Sequence, residues 1–126
     1  MKNYKICVVG AGRWGLNHVK TLEKLDSLGG IVDSDSSTLI KIKKEYPKCL
    51  TFKNLEDSFK KSFDAYIVAT PPKSHFSIAK KIINKRKPLL VEKPLTLSLK
   101  DAEYLNYISK KNNVNLMVGH LLLFHP

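Results

Sequence analysis

Cysteine, arginine and long apolar runs are all scarce in this chain, and each scarcity removes a class of function. The two cysteines, Cys7 and Cys49, stand far apart and lack CxxC spacing, so no metal site is expected. With so few thiols and no export signal, the reading is a cytoplasmic chain with reduced cysteines. Met1 to Lys5 lead into a short apolar run that ends at Gly10 without a small-residue cleavage site. That is a strand, not a signal peptide. No apolar run approaches the ~20 residues a membrane helix needs. Of the 22 basic residues only Arg13 and Arg86 are arginine, the side chain whose bidentate fork reads bases and phosphates. The lysines are spread through the chain, as at Lys41, Lys43 and Lys44, Lys80 and Lys81, or Lys110 and Lys111. No arm or aromatic-interleaved stripe collects them. A net charge of +11 therefore reads as a solvated lysine surface, with nucleic acid disfavoured as a partner. It can still draw an anionic ligand over long range.

What is present is ordinary globular composition, 43% hydrophobic and 26% charged, which excludes wholesale disorder and fibrous repeats. The 126 residues make room for one domain, read as residues 1–126, that buries roughly two-thirds of its unfolded surface. Short apolar runs alternate with amphipathic stretches. Strands are expected at Ile6–Val9, Leu28–Val32, Cys49–Phe52, Ala65–Ala69, Pro88–Val91 and Val114–Val118. Between them, Leu16, Val19, Leu22 and Leu25 recur at helical spacing, and Leu39, Ile42 and Tyr46 mark a second helix stopped by Pro47. Asn54 to Lys61 reads as a short capped helix. Phe76, Ala79 and Ile83, flanked by Ile78 and Ile82, make the stripe of the next, and Ser98 opens a last helix to about Asn112. Strands alternating with helices predict an α/β fold, a Rossmann-type doubly wound parallel sheet of about six strands.

Gly10-Ala11-Gly12-Arg13-Trp14-Gly15 follows the first strand and opens the first helix, and Asp33 stands 18 residues after Gly15 at the end of the second strand. In that context G-x-G-x-x-G reads as a dinucleotide-binding turn. Gly10 permits the tight turn, Gly12 lets a pyrophosphate approach the backbone, and Gly15 lets the helix pack on the sheet. The helix N-terminus then offers free N–H groups to the phosphates. Asp33 is the candidate for the adenosine ribose hydroxyls and would repel a 2′-phosphate, and Ser34 follows where an NADP enzyme often places Arg; the pattern favours NAD over NADP. Asp35 competes for the ribose role, with helix capping as its other reading.

Four segments resemble the glucose–fructose oxidoreductase/inositol dehydrogenase (Gfo/Idh/MocA) family. Gly12-Arg13-Trp14-Gly15-Leu16-Asn17-His18 is similar to its G-x-W-G-x-x-H turn, and Ala69-Thr70-Pro71-Pro72-Lys73-Ser74-His75 to its A-T-P-x-x-x-H segment. Val91-Glu92-Lys93-Pro94-Leu95-Thr96 resembles its E-K-P-x-[ST] motif. Gly119 to Pro126 resembles the G-H-x-x-x-F-x-P exit of its nucleotide-sugar oxidoreductases. The resemblance implies that Arg13 and Trp14 belong to the phosphate turn and that Thr70, Pro71 and Pro72 line the nicotinamide half. It makes Lys93 the catalytic residue, beside the reacting carbon, and puts Glu92 on the nicotinamide ribose. His75 and His120 are weaker cofactor contacts, and His18 reads as a surface or packing residue.

The activity implied is hydride transfer at a secondary alcohol of a sugar or nucleotide sugar. The family's enzymes continue into a second α+β domain that orients the substrate, and this chain is expected to lack it. A free-standing, non-catalytic dinucleotide-binding or partner-binding module is the alternative. The apolar run Leu121 to Phe124 predicts a homodimer or another assembly that hides it.

Overall fold

Six near-continuous apolar runs pair into one parallel sheet in the computed structural model, which describes residues 3–119. In chain order the elements are β1 (Ile6–Val9), α1 (Arg13–Lys24), β2 (Leu28–Val32), α2 (Ser36–Glu45), β3 (Leu50–Phe52), α3 (Leu55–Ser58), β4 (Ala65–Val68), a 3₁₀ turn (Pro72–Ser74), α4 (His75–Asn84), β5 (Leu89–Glu92), α5 (Leu99–Lys111) and β6 (Leu116–Gly119). The strand order β3-β2-β1-β4-β5-β6 is that of a Rossmann fold, reversing direction between β1 and β4. Val9 pairs with Val32 on one side and Val68 on the other, and Val68, Val91 and Val118 continue the row. The carboxyl ends of five strands therefore line up along one edge.

Both faces of the sheet are covered, which is why its strands are apolar throughout rather than alternating. Cys7, Val9, Tyr66, Val68 and Val91 pack under α4 and α5 against Ala79, Ile82, Ile83, Leu105 and Ile108. Val8, Ile31 and Ile67 face the other way, under Val19, Leu22, Leu39 and Ile42 of α1 and α2. Each such aliphatic side chain stabilises the fold by about 1.5–3 kcal/mol on full burial. No helix among the described residues is long and apolar enough to cross a membrane.

Several elements differ from expectation for local reasons. In α1 only Gly15, Val19 and Leu22 are buried, while Leu16 and Leu25 are exposed. Steps of three residues turn the helix by 300°, so Leu16 and Leu25 drift to opposite sides of the Val19–Leu22 stripe. The helix expected over 54–61 is a single α-turn, Leu55–Ser58, continued by looser bonds such as Lys60 N–H to the Asp57 carbonyl. Asn54 does cap it, accepting from Asp57 N–H at 2.9 Å. β6 starts at Leu116 because the Val114 N–H is bonded to the Ser109 carbonyl, closing the end of α5. The same closure ends α1 and α4, with Asp26, Arg86 and Asn113 each in the left-handed region at φ 55–58°.

Candidate functional site

The turn between β1 and α1 shows three glycines with three different environments. Gly10 has φ +97°, and a Cβ there would lie 2.9 Å from the Ala69 and Thr70 backbone. A Cβ on Gly15 would meet the Gly10 carbonyl oxygen at 1.8 Å, so the helix rests directly on the turn. A Cβ on Gly12 would meet nothing within 4 Å. Gly12 is thus not needed for protein packing; it keeps an approach to the backbone open. It is also the N-cap of α1, whose first turn has no side-chain cap and no acid. α2, α3 and α5 are capped by Asp35, Asn54 and Ser98. α1 leaves its first N–H groups and the positive end of its dipole to an external anion.

Asp33 and Asp35 separate cleanly. Asp35 caps α2, accepting from the Ser37 N–H at 2.9 Å, the Ser37 hydroxyl at 2.8 Å and the Thr38 hydroxyl at 3.2 Å. Those bonds, the Ser37 hydroxyl foremost, hold its carboxyl below the usual aspartate range. Asp33, half-buried at the tip of β2, accepts from the Ala11 N–H through Oδ2 and from the Asp35 N–H through Oδ1, each at 2.9 Å. One lone pair on each oxygen remains for outside hydroxyls. Asp33 therefore both ties down the glycine turn and faces the cleft beside it.

That cleft, about 1390 Å³, follows the carboxyl edge of the sheet. It brings together Gly10, Gly12, Arg13, Trp14, Asp33, Ser34, Thr70, Pro71, Pro72, Glu92 and Lys93, from four separate loops. Trp14 is half-exposed at its rim. Pro72 opens the 3₁₀ turn, where the Ser74 hydroxyl donates to the Pro71 carbonyl at 2.8 Å and lies 2.7 Å from Thr70 Oγ1. Lys93 is exposed, and among the described residues its ammonium has no partner. Sequence reasoning missed the wall beyond β3: Lys53 and Asn54 line the cleft, as do Glu56 and Lys81, whose ion pair of 2.8 Å links α3 to α4. It also missed that His18 lines the cleft and that its Nε2 donates to Glu92 Oε1 at 2.6 Å. His18 and Glu92 each stand in a motif-like segment, but only a contact between α1 and the tip of β5 shows that they pair. His120 and Leu121 to Phe124 lie outside the described residues. Among the described residues no three His, Cys, Asp or Glu side chains gather as a metal site. Burial pushes the Cys7 thiol well up and that of Cys49 to about 11, so both are inert core groups.

His75 corrects the expectation of a cofactor contact. It is 1% exposed, with Nδ1 2.7 Å from the Pro94 carbonyl oxygen and Nε2 2.7 Å from that of Thr70. Both nitrogens are taken by main chain, and the ring ties the exit loop of β4 to that of β5. His75→Ala is expected to cost about 2–3 kcal/mol, from the loss of the ring's hydrogen bond to the main chain and from the vacated volume. Urea unfolding measures this, and a loss under about 0.5 kcal/mol, the range of surface changes, would refute the tie.

Residues 4–120 match GFO_IDH_MocA, an oxidoreductase family with an NAD-binding Rossmann fold. The chain belongs to this family. Among its relatives is the UDP-N-acetylglucosamine 3-dehydrogenase of Acidithiobacillus ferrooxidans, 27% identical over 119 residues, covering 94% of this chain and 37% of that protein. Another is the scyllo-inositol 2-dehydrogenase (NAD(+)) of Bacillus subtilis, 32% identical, covering 97% and 37%. In fold the chain matches the crystal structure of scyllo-inositol dehydrogenase from Lactobacillus casei with bound NAD(H) and scyllo-inositol. The TM-score there is 0.90 at 23% identity, over 98% of this chain and 38% of that one. The chain thus spans under two-fifths of the length of these family members. The open approach at Gly12, the uncapped α1 and the Asp33 carboxylate fit the family's NAD.

Proposed function

We propose that the chain is the cofactor half of a dehydrogenase that interconverts a secondary alcohol of a sugar, polyol or nucleotide sugar and the corresponding ketone. The observation that carries this is the glycine turn, where the open space at Gly12, the uncapped α1 N-terminus and Asp33 converge on one cleft. In this reading the backbone of Gly10 to Gly15 holds the pyrophosphate, and Arg13 and Trp14 flank it. Asp33 and Ser34 take the adenosine ribose, with Thr70, Pro71 and Pro72 forming an apolar shelf for the nicotinamide. NAD, when bound, supplies the hydride acceptor or donor. Glu92 accepts from the nicotinamide-side ribose. Lys93, without a partner among the described residues, holds a positive charge against the oxygen of the reacting carbon and, in the reducing direction, can give that oxygen a proton. The buried free thiols support a cytoplasmic site of action, and the exposed Leu99, Tyr107 and Met117 on α5 and β6 support self-association.

Calorimetric titration with NAD and NADP tests the reading. NAD is expected to bind tighter, because the Asp33 carboxylate repels a 2′-phosphate. Asp33→Asn removes that charge and is expected to weaken NAD by about 1–3 kcal/mol while narrowing the gap to NADP. NADP binding at least as tightly as NAD to the unaltered chain would remove Asp33 from the ribose role. Absence of binding by either nucleotide would sink the proposal.

A further inference from the structure

We propose that His18 is a positioning residue for the nicotinamide-side ribose, acting through the Glu92 carboxylate; this rests on the placement of NAD proposed above. His18 reaches from α1 to the last residue of β5, two strands away from β1 in the sheet, and its Nε2 lies 2.6 Å from Glu92 Oε1. The two side chains are only 24% and 19% exposed, so their bond is partly shielded from water. On its other side the carboxylate is confined by β6. Gly119 pairs in register with Glu92, and a Cβ on Gly119 would lie 3.1 Å from Oε2. The carboxylate therefore occupies the room that any larger residue at 119 would need. Among the described residues His18 is the one hydrogen-bond partner of the Glu92 carboxylate, and no lysine or arginine competes for it.

The chemistry follows from this confinement. A free glutamate has one of the largest side-chain entropies, and ordering it at the moment of binding weakens the contact it makes. With Oε1 held by His18, Glu92 presents Oε2 to the cleft in one orientation, as an acceptor for a ribose hydroxyl. The adenosine half, held by Asp33 and the glycine turn, does not depend on this pair. His18 thereby governs one half of the dinucleotide and not the other.

Titration of NAD and of ADP against the full chain and four variants, His18→Ala, His18→Gln, Glu92→Gln and the double change, separates these roles. His18→Ala is expected to weaken NAD about five- to tenfold, the size of one hydrogen bond, and to leave ADP unchanged. His18→Gln, which keeps a donor in place of Nε2, is expected to recover most of the NAD affinity. Glu92→Gln combined with His18→Ala is expected to lose no more than the larger single change, since both act through one bond. Equal loss of NAD and ADP in His18→Ala would assign the histidine a merely structural role. Undiminished NAD affinity, additive losses, or failure of Gln to rescue would each overturn the proposal. Should the alanine variant not fold, the NAD-to-ADP comparison in His18→Gln and Glu92→Gln decides instead. An unaltered chain that binds ADP but not NAD, or neither, speaks against the proposed function rather than against His18.

Discussion

Replacing Gly15 by alanine is expected to abolish the fold, while the same change at Gly12 leaves the fold standing and weakens NAD binding. At Gly15 the added carbon would lie 1.8 Å from the Gly10 carbonyl oxygen and 2.8 Å from its carbon. Neither atom can retreat, because Gly10 is itself wedged at φ +97° against the Ala69 and Thr70 backbone. Overpacking against mobile side chains costs about 1–3 kcal/mol, and against fixed backbone more. A domain has only about 5–15 kcal/mol to lose. Gly12, by contrast, has φ −77°, which any residue adopts, and open space beyond it. Its replacement costs the fold about 1 kcal/mol at most, through a poorer N-cap. The methyl group then stands where the pyrophosphate must approach, and NAD affinity is expected to fall at least about tenfold, the loss of one charge-assisted contact. Circular dichroism with urea titration reads the first effect and calorimetry the second. A Gly15→Ala chain with an unchanged midpoint, or a Gly12→Ala chain that binds NAD normally, would contradict the assignment.

These glycines were legible in the sequence because the need for each is local, a matter of one strand, one turn and one helix. The strands were legible for a similar reason. Val8 and Val9 face opposite sides of a sheet that is covered on both, so the run is apolar at every position and stands out. Helix endings were legible for α2, before Pro47, and for α5, near Asn112, but not for α1 and α4. Those two close by a left-handed turn that places Asp26 and Arg86 there instead of glycine, so the usual stop signal is missing. Leu25 misled for a geometric reason, since three-residue spacing matches a helical stripe over one step and leaves it over three.

The histidines mark the limit at the site. His75 carries a motif, but whether its ring faces a ligand or the interior depends on where Thr70 and Pro94 bring their carbonyls. His18 also stands in a motif-like segment, but its partner Glu92 lies 74 positions further on. Asp33 was already preferred to Asp35 at the strand tip, and the hydroxyls of Ser37 and Thr38 on Asp35 agree with its other reading as a helix cap. Side chains whose role is set by sheet order were beyond reach of sequence pattern alone.

The 126-residue chain by itself is expected to bind NAD and yet turn over no sugar, polyol or nucleotide sugar at a useful rate. Hydride transfer needs the carbinol carbon held within about 3–3.5 Å of its partner atom, by contacts spread over the whole substrate. In the described cleft the end proposed to be catalytic is lined by Lys93, Glu92 and the shelf from Thr70 to Pro72, with Lys93 exposed. A lone ammonium there can polarise one oxygen, but it cannot fix the position of a ring. General acid–base help is worth roughly 10²–10⁴-fold, against accelerations of at least about 10⁶-fold in working enzymes. Relatives that catalyse such reactions are more than twice as long, this chain covering 37% of the dehydrogenases it matches in Acidithiobacillus ferrooxidans and Bacillus subtilis. Nicotinamide absorbance should therefore stay flat when the chain is mixed with NAD and a panel of such alcohols, in samples where calorimetry shows the cofactor bound. A polypeptide that carries this chain at the full length of those relatives should turn over, and Lys93→Ala should abolish that turnover. Turnover by the chain alone that disappears in Lys93→Ala would instead mean that a second copy completes the pocket, with Lys93 still at its chemical centre.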